Sequence, residues 1–296
     1  MGTPAEVGPW AREKLDALAR YLDYYTKVLK NQPWRTIYFD AYAGGGQAIV
    51  RSELTSGASL LFPEEETDAE ARQLIDGSPR VALGLANPFD RYIFVDNDVN
   101  RHQELEVLRR EWGDRRTITA RRGTATDAID WLLAQGIGRQ SHRGVAFLDP
   151  FGANLAWSDV AALASTRLFE VVINFPLGMA IQRMLPNTGT MPPSWAARLD
   201  GLFGNREWYD AVYQPEGGLF SSKEPAKRTD YHTRLLGLYL SQLADAFGHV
   251  SQPRLIRNSR GAPLYYLIWA GPHKKGLEGA NYVLTMGERL PKRKDG

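Results

Sequence analysis

The chain has 296 residues, 43% of them hydrophobic, which fits one large α/β domain with embellishments or two small domains. Its net charge of +2 indicates no strongly cationic surface for the chain as a whole, and the absence of cysteine excludes disulfides, cysteine-ligated metals and a cysteine nucleophile. No apolar run approaches the ~18–20 residues of a membrane span, and the N-terminus lacks a signal pattern, so we expect a cytoplasmic protein without membrane contact. The five histidines are scattered, and we expect no metal site.

Taken in order, the chain predicts alternating helices and strands. Helices are predicted over 11–29, 80–86, 100–112, 128–135, 159–164 and 229–247. Strands are predicted over 37–40, 91–96, 117–121, 144–148, 170–174, 255–258 and 264–270. The last two strands are joined too closely for a crossover helix, so they should pair antiparallel. This order predicts one Rossmann-like α/β domain over 1–296, with a seven-stranded, mostly parallel sheet and an antiparallel C-terminal hairpin.

Two segments interrupt this alternation. Residues 51–76 contain an acidic run and lose periodicity, which indicates an insertion that ends in Gly77-Ser78-Pro79, with Ser78 suited to cap the next helix. Residues 177–228 are rich in proline, glycine and tryptophan, which favours an inserted subdomain or lid.

The stretch TIYFDAYAGGGQ at 36–47 combines a predicted buried strand with a glycine loop that should lead into a helix. Glycines allow the backbone to approach a ligand and to take positive φ. The spacing of Asp40, Tyr42, Gly44 and Gly46 resembles the Asp-x-Gly-x-Gly-x-Gly motif of S-adenosylmethionine (SAM) methyltransferases, with tyrosine in place of the first glycine. A generic strand–glycine–helix turn is the alternative.

Three successive predicted strands end in the carboxylates Asp40, Asp96 and Asp149. Ligands of open α/β sheets bind at the carboxyl ends of the strands, so these side chains should share one site. We expect Asp96, with neighbouring Asn97, to bind the ribose of a nucleoside, and Asp40, Tyr42, Ala43, Gly44 and Gly46 to line the rest of the cofactor site.

SAM is the expected cofactor, with NAD as the competing interpretation. The third glycine of the dinucleotide fingerprint is absent, and Asp96 follows Asp40 by 96 − 40 = 56 positions instead of about 20. A carboxylate directly before the glycines would also repel a pyrophosphate. Thr124, in the turn after the third strand, is the expected adenine contact, although Asp127 in the same turn fits a helix cap better.

The ordered stretches TIYFDAYAGGGQ, DGSPRVAL, RYIFVDND, GVAFLDPFG and VVINFP resemble the three-Cys-motif partner protein family (TcmP), a SAM-methyltransferase-like group. The resemblance covers about residues 11–180 and, in PLYYLIWAGPHKKG, the closing strand. It implies a neighbouring protein that carries three cysteines.

Asp149-Pro150-Phe151 is more distantly similar to the Asp/Asn-Pro-Pro-aromatic tetrad of methyltransferases that act on amines of adenine in RNA or DNA. The resemblance implies that Asp149 and the Pro150 carbonyl accept hydrogen bonds from the amine and that Phe151 stacks on the base. The second proline is missing, so Phe175 or Trp157 could stack instead, and a strand-end turn with a buried Phe151 is the alternative.

These observations predict a SAM-dependent methyltransferase acting on an amine of a nucleobase or nucleic acid. The alternative is a non-catalytic nucleoside-binding module that serves a cysteine-containing partner. Lys14 could reach the site from the first helix, although a solvated helix lysine is the simpler interpretation. Seven arginines between positions 101 and 122 fit either a solvated face or a phosphate-contacting surface.

Overall fold

The computed structural model describes residues 5–7, 10–50, 73–215, 225–258 and 260–286. Up to the fourth strand of the parallel sheet, the elements are β1 (Ala5–Val7), α1 (Trp10–Leu29), β2 (Arg35–Asp40), β3 (Gln47–Val50), β4 (Gln73–Asp76), α2 (Ser78–Leu83), β5 (Arg91–Asp96), α3 (Val99–Trp112), β6 (Ile118–Arg122), α4 (Ala125–Leu133) and β7 (His142–Leu148). They continue with α5 (Trp157–Ser165), β8 (Phe169–Phe175), α6 (Pro193–Phe203), α7 (Glu207–Val212), β9 (Tyr213–Gln214), β10 (Ala226–Lys227), α8 (Tyr231–Phe247), β11 (His249–Val250), β12 (Arg254–Arg257), β13 (Pro263–Gly271) and α9 (Lys274–Thr285). None of the helices in these ranges is both long and apolar enough to cross a membrane.

The central sheet has the strand order β11-β13-β8-β7-β2-β5-β6, and β12 also pairs with β13. The five strands from β8 to β6 are parallel, whereas β13 runs antiparallel to β8, β12 and β11. This arrangement confirms the predicted mostly parallel, Rossmann-like sheet with an antiparallel C-terminal hairpin. The two-residue β11 adds an eighth strand to it among the described residues.

Helices cover both faces of the sheet. Ile37 and Phe39 of β2 belong to the core on the side of α4, α5 and α8, whereas Tyr38 belongs to the core on the side of α1, α2 and α3. Successive side chains of a strand point to opposite faces, so a strand covered on both sides reads as a continuous apolar run. This is why the parallel strands were recognisable in the sequence.

A β-hairpin follows the glycine loop, where the sequence predicted a helix. Residues Gln47–Val50 pair antiparallel with Gln73–Asp76, and the Gly77 N–H donates a hydrogen bond of 2.9 Å to the Gly46 carbonyl. The insertion therefore leaves and returns at one place, although residues 51–72 lie outside the described ranges. Because of this return, α2 begins directly beside the glycine loop. Gly77 is its N-cap, so the prediction that Ser78 would cap it was wrong.

The segment predicted as a subdomain or lid, 177–228, begins with a π-helical turn (Leu177–Ile181) and a 3₁₀ turn (Gln182–Met184) and continues through α6, α7, β9 and β10. Residues 216–224 lie outside the described ranges. Leu199, Phe203, Trp208 and Val212 are buried in the same core as Ile37 and Phe39. The described part of this segment is thus packed onto the sheet and has no separate core of its own.

Helix α9 is not among the helices predicted from the sequence. Its sequence contains two glycines, which lower helix propensity. The tertiary structure explains why both positions are glycine. A Cβ at Gly276 would lie 2.7 Å from the Trp269 ring, and one at Gly279 would collide with the Tyr24 ring. Glycine is needed here for close packing of the helix against β13 and α1.

Candidate functional site

The three predicted carboxylates lie at one edge of the sheet. Asp40, the last residue of β2, is paired in register with Phe94 of β5 and with Phe147 of β7. Asp96 and Asp149 each come two residues after those partners. The carboxyl ends of three adjacent parallel strands, β7, β2 and β5, therefore bring these side chains together, and we call this edge the carboxylate rim.

The glycine loop is fastened to the end of β5. The Ala43 N–H donates a hydrogen bond of 2.9 Å to the Val95 carbonyl, and the Gly44 N–H donates one of 3.1 Å to Asp96 Oδ2. Gly44 and Gly46 have φ values of +63° and +84°, the left-handed region that favours glycine. A Cβ on Gly44 would meet no atom of the described residues within 4 Å, so these residues leave open space beside this backbone.

Asp40 is fully buried beneath this loop. Its Oδ2 accepts a hydrogen bond of 3.2 Å from the Tyr38 hydroxyl, and its Oδ1 accepts one of 3.3 Å from the Tyr42 N–H. Burial raises the pKa of Asp40 to about 7. A hydrogen bond from the Ser78 side chain favours the charged form and partly offsets this rise in pKa. In this conformation Asp40 organises the loop and the start of α2 and is shielded from solvent.

Asp96 joins the end of β5 to the turn that follows it, and the residue is only 7% exposed. It accepts the Asp98 N–H at 2.8 Å, and Arg101 Nη1 lies 3.8 Å from its Oδ2. Asn97 directly follows it and is exposed at the same strand end. The side chain of Asp98 caps α3 by accepting from two backbone N–H groups, which fixes the geometry of this turn.

Glu104 of α3 adds a further carboxylate beside the glycine loop. A Cβ built on Gly45 would coincide with the Glu104 carboxylate, so the two residues are in close contact. Burial raises the pKa of Glu104. The glycine loop is therefore surrounded by acidic side chains, an environment that disfavours the negative charge of a pyrophosphate.

Tyr42, at the position of the first motif glycine, connects the two halves of the rim. Its hydroxyl donates a hydrogen bond of 3.2 Å to the Asn154 carbonyl, in the loop that follows β7. Burial raises the pKa of Tyr42, which keeps this hydroxyl protonated as a donor. Tyr42 therefore joins the glycine loop to the Asp149-Pro150-Phe151 loop.

Asp149 is held by two side chains from distant parts of the chain. Lys14 Nζ forms an ion pair with Oδ2, and Asn174 Nδ2 donates a hydrogen bond of 2.6 Å to Oδ1. The Lys14 and Asp149 side chains are only 13% and 22% exposed, and Lys14 also lies 5.6 Å from the centre of the Tyr265 ring. The interpretation of Lys14 as a solvated lysine was wrong. Helical periodicity placed it on α1 but could not identify its partner 135 residues away.

Phe151 offers its ring to solvent, with 86% of the residue exposed, whereas Pro150 is buried. The expectation that Phe175 could replace it was wrong, because that ring is buried and stacked on Tyr239 with centroids 4.4 Å apart. Trp157 is half-buried, and its ring meets Tyr239 edge-on at 5.8 Å. The alternative of a buried Phe151 is likewise excluded. Phe151 is the most available of these three aromatic rings.

Thr124 serves as the N-cap of α4. Its hydroxyl accepts a hydrogen bond of 3.1 Å from the Asp127 N–H, and the Asp127 carboxylate accepts from the Thr124 N–H at 3.3 Å, which completes a capping box. The cap interpretation of Asp127 is confirmed. Thr124 remains exposed near the end of β6, but its side chain is already engaged in the cap.

Within the described ranges, no three histidine or acidic side chains are grouped so that they could hold a metal ion. The structure thus brings together Asp40, Asp96, Asp149 and the glycine loop, with Thr124 beside them, and adds Lys14, Glu104 and Asn174.

Comparisons with known proteins show a likeness of fold only. No protein-family model and no curated protein matches the chain. Among solved structures, the chain is similar to protein LPL1258 from Legionella pneumophila, described under the family model DUF519, at 11% identity and a TM-score of 0.42, covering 87% of this chain and 97% of that one. It is also similar to a conserved hypothetical protein from Streptococcus pyogenes, at 16% identity and a TM-score of 0.30. That match covers 55% of this chain and 82% of the other. Neither likeness bears on function.

Proposed function

We propose that this protein is a SAM-dependent methyltransferase that acts on an amine of a nucleobase. The observation that carries the proposal is the carboxylate rim. Asp96 borders an open glycine loop on one side, and Asp149, followed by the exposed Phe151, stands two strands away along the same edge. A nucleoside site and an acceptor site would then be adjacent.

The chemistry of the loop fits SAM better than a dinucleotide. Asp96 and Asn97 would accept and orient the ribose hydroxyls, and the space beside Gly44 would admit the ligand to the backbone. Glu104, at the loop, would repel a pyrophosphate, whereas the sulfonium and ammonium of SAM are cationic. When bound, SAM supplies an electrophilic methyl group.

At the acceptor side, Asp149 would accept a hydrogen bond from the amine N–H and hold the nitrogen lone pair towards the methyl carbon. The nitrogen–carbon bond would form as the methyl–sulfur bond breaks, S-adenosylhomocysteine would leave, and the amine would release one proton to solvent. The Pro150 carbonyl would be the second acceptor, and Phe151 would stack on the base. Such positioning supplies most of the rate when the nucleophile is a lone pair. Lys14 and Asn174 each use one oxygen of Asp149, and because a carboxylate oxygen can accept a second hydrogen bond, the amine would bind beside them.

The resemblance to the three-Cys-motif partner family adds an expected partner, a protein with three cysteines. The same resemblance supports the alternative in which the chain binds a nucleoside without turnover. Asp149 supports catalysis, because a hydrogen-bond acceptor beside an exposed aromatic ring is the combination that holds an acceptor base.

Calorimetric titration with SAM and with NAD tests the cofactor. We expect binding of SAM, a loss of at least tenfold in affinity for D96A, and a change within a few-fold for D149A. These two variants each remove one carboxylate of the rim, from strand ends on either side of β2. Binding of NAD without SAM would reject the assignment.

Transfer of a labelled methyl group to total RNA, DNA and protein tests the activity. D149A should abolish transfer, and F151A should reduce it strongly. The matched control is Y282A, which removes a 70% exposed aromatic from α9 and should leave the rate unchanged. SAM binding with no methylated product in any fraction would establish the binding module instead.

A further inference from the structure

An arginine stands at the beginning of each of the five parallel strands. Arg143, Arg35 and Arg91 lie within the first two residues of β7, β2 and β5, while Arg167 and Arg116 come two residues before β8 and β6. Because these strands are adjacent in the order β8-β7-β2-β5-β6, the five arginines lie along one edge of the sheet, and we call them the arginine row. Thr36 is in register with Arg143 and Ile37 with Arg91, so Arg143 starts from the opposite face of the sheet to Arg35 and Arg91. The row occupies the edge opposite the carboxylate rim.

The spacing of the row follows from the sheet. Neighbouring strands are ~4.8 Å apart, so five strands extend over roughly 19 Å. A helical nucleic-acid strand rises ~3.4 Å per nucleotide, so the row is as long as about six nucleotides of such a strand.

Arginines of the row are oriented by tryptophan rings. The guanidinium of Arg143 lies 4.1 Å from the centre of the Trp34 ring, and that of Arg91 lies 5.3 Å from that of Trp131. Arg116 lies 5.8 Å from the Trp112 ring. Among the described residues, none of the five arginines forms an ion pair with a carboxylate. Arg143 Nη1 donates hydrogen bonds to the Arg139 and His142 carbonyls, and Arg116 Nη1 donates one to the Arg115 carbonyl. A guanidinium has five N–H donors, so each of these arginines keeps further N–H groups for an anion.

Positive charge accumulates along this edge. Burial, and after it the charges of Arg35 and Arg91, lower the pKa of His142. Burial, and after it Arg143 and Arg167, lower the pKa of His273. Two further groups of residues share the edge. The basic ones are Arg115, Arg139, His249, Lys274 and Lys275, and the acidic ones are Asp90, Asp114 and the buried Glu170.

Asp90 opposes this charge only in part. Its Oδ2 accepts hydrogen bonds of 2.6 and 2.9 Å from the N–H and hydroxyl of Thr36.

We propose that the arginine row binds the phosphodiester backbone of a nucleic acid, as a docking surface separate from the carboxylate rim. Guanidinium groups match phosphate oxygens in bidentate geometry, and a series of them along one edge fits a linear polyanion. The neighbouring tryptophans are the aromatic component that nucleic-acid surfaces combine with basic side chains. The row does not depend on SAM, so it goes beyond the function proposed for the rim.

Fluorescence anisotropy with a labelled 20-nucleotide single-stranded RNA, in the absence of SAM, tests the row. The charge-removing variant is R35Q/R91Q/R167Q. The matched control is R198Q/R234Q/R260Q, which removes three exposed arginines from α6, α8 and the β12–β13 turn and changes the net charge equally. Titrations between 50 and 200 mM KCl give the dependence of affinity on salt.

We expect the row variant to lose at least tenfold in affinity at 100 mM KCl. Its slope of log K against log[salt] should fall by about 2, because each lost contact with a single strand contributes ~0.7. The control should remain within twofold. If the triple variant fails to fold, R35Q/R167Q changes two exposed side chains and should lower the slope by about 1.4.

Equal affinity and slope in the row and control variants would overturn the proposal. Binding of poly-glutamate or of phosphatidylserine vesicles as tightly as RNA, with the same loss in the row variant, would overturn the nucleic-acid assignment. The same titrations with single-stranded DNA and with duplexes compare the affinities and identify which nucleic acid is preferred. D96A should bind RNA normally, so a failure of the SAM site remains distinguishable.

Discussion

Replacing Asp40 by asparagine tests whether the carboxyl beneath the glycine loop is buried. Burial raises the pKa of Asp40 from 3.8 to about 7. Between these values the folded protein retains a proton that the unfolded chain has lost. The folded state therefore binds more protons, and the free energy of unfolding falls as pH rises from about 4 to 7, then levels off above 7.

The size of the effect follows from the pKa difference. A difference of about three pH units, at roughly 1.4 kcal/mol per unit, amounts to about 4 kcal/mol, of which about 3 kcal/mol falls between pH 5 and 8. An asparagine side chain has no proton to lose in this range, so D40N should flatten the pH dependence of unfolding by that amount. Burial also raises the pKa of Glu170 to about 7. The free energy of unfolding of D40N should therefore still depend on pH, through Glu170.

Urea unfolding at pH 5, 6, 7 and 8 is the assay. E170Q is the matched control, because Glu170 lies near the start of β8, away from the rim, where it accepts hydrogen bonds from Tyr21 and Trp269. E170Q should remove a similar share of the pH dependence without altering SAM affinity, and D40N/E170Q should remove both. A D40N protein with the full wild-type pH dependence would refute the reasoning.

Three further predictions concern packing, capping and the rim. G144A should destabilise the fold by about 1–3 kcal/mol in urea unfolding, because the new Cβ would lie 2.6 Å from a ring carbon of Phe169 and 3.2 Å from the Ile37 carbonyl. An unchanged unfolding midpoint would contradict this packing. T124A should cost about 1 kcal/mol, since it removes the cap shared with Asp127, and wild-type thermal stability would count against the capping box. In a double-mutant cycle, K14A and D149A should couple by about 1–3 kcal/mol, and additive effects on unfolding would show that the ion pair contributes nothing.

Local sequence was sufficient for the parallel sheet. The bounds predicted for β5, 91–96, are those of the structure, and the ends of β2 and β7 are within two residues of the predicted carboxylates. Such strands are covered on both faces, so their sequence is a short, continuous apolar run that ends at a charged residue. Parallel connectivity then puts the ends of these strands at one edge of the sheet, and the strand order β7-β2-β5 makes the three carboxylates neighbours there.

Several features of the candidate site depended on packing between distant segments. The sequence left open whether Lys14 reaches the site, and only the structure shows its ion pair with Asp149. The sequence did not indicate that Phe175 would be buried against Tyr239 or that Asp40 would be covered by its own loop. Each depends on which side chain arrives from another element. Local propensity and periodicity contain no information about that partner.

The chain by itself determined the fold class, the strand ends and the glycine loop, because these depend on neighbours within a few residues. Only the tertiary structure decided where α9 packs, since its glycines are unfavourable for a helix until Tyr24 and Trp269 lie against them. It also decided that five arginines, spread from position 35 to position 167, lie along one edge of the sheet. Their adjacency is set by the order of strands in the sheet, and hydrogen bonding between strands establishes that order only when the whole domain has folded.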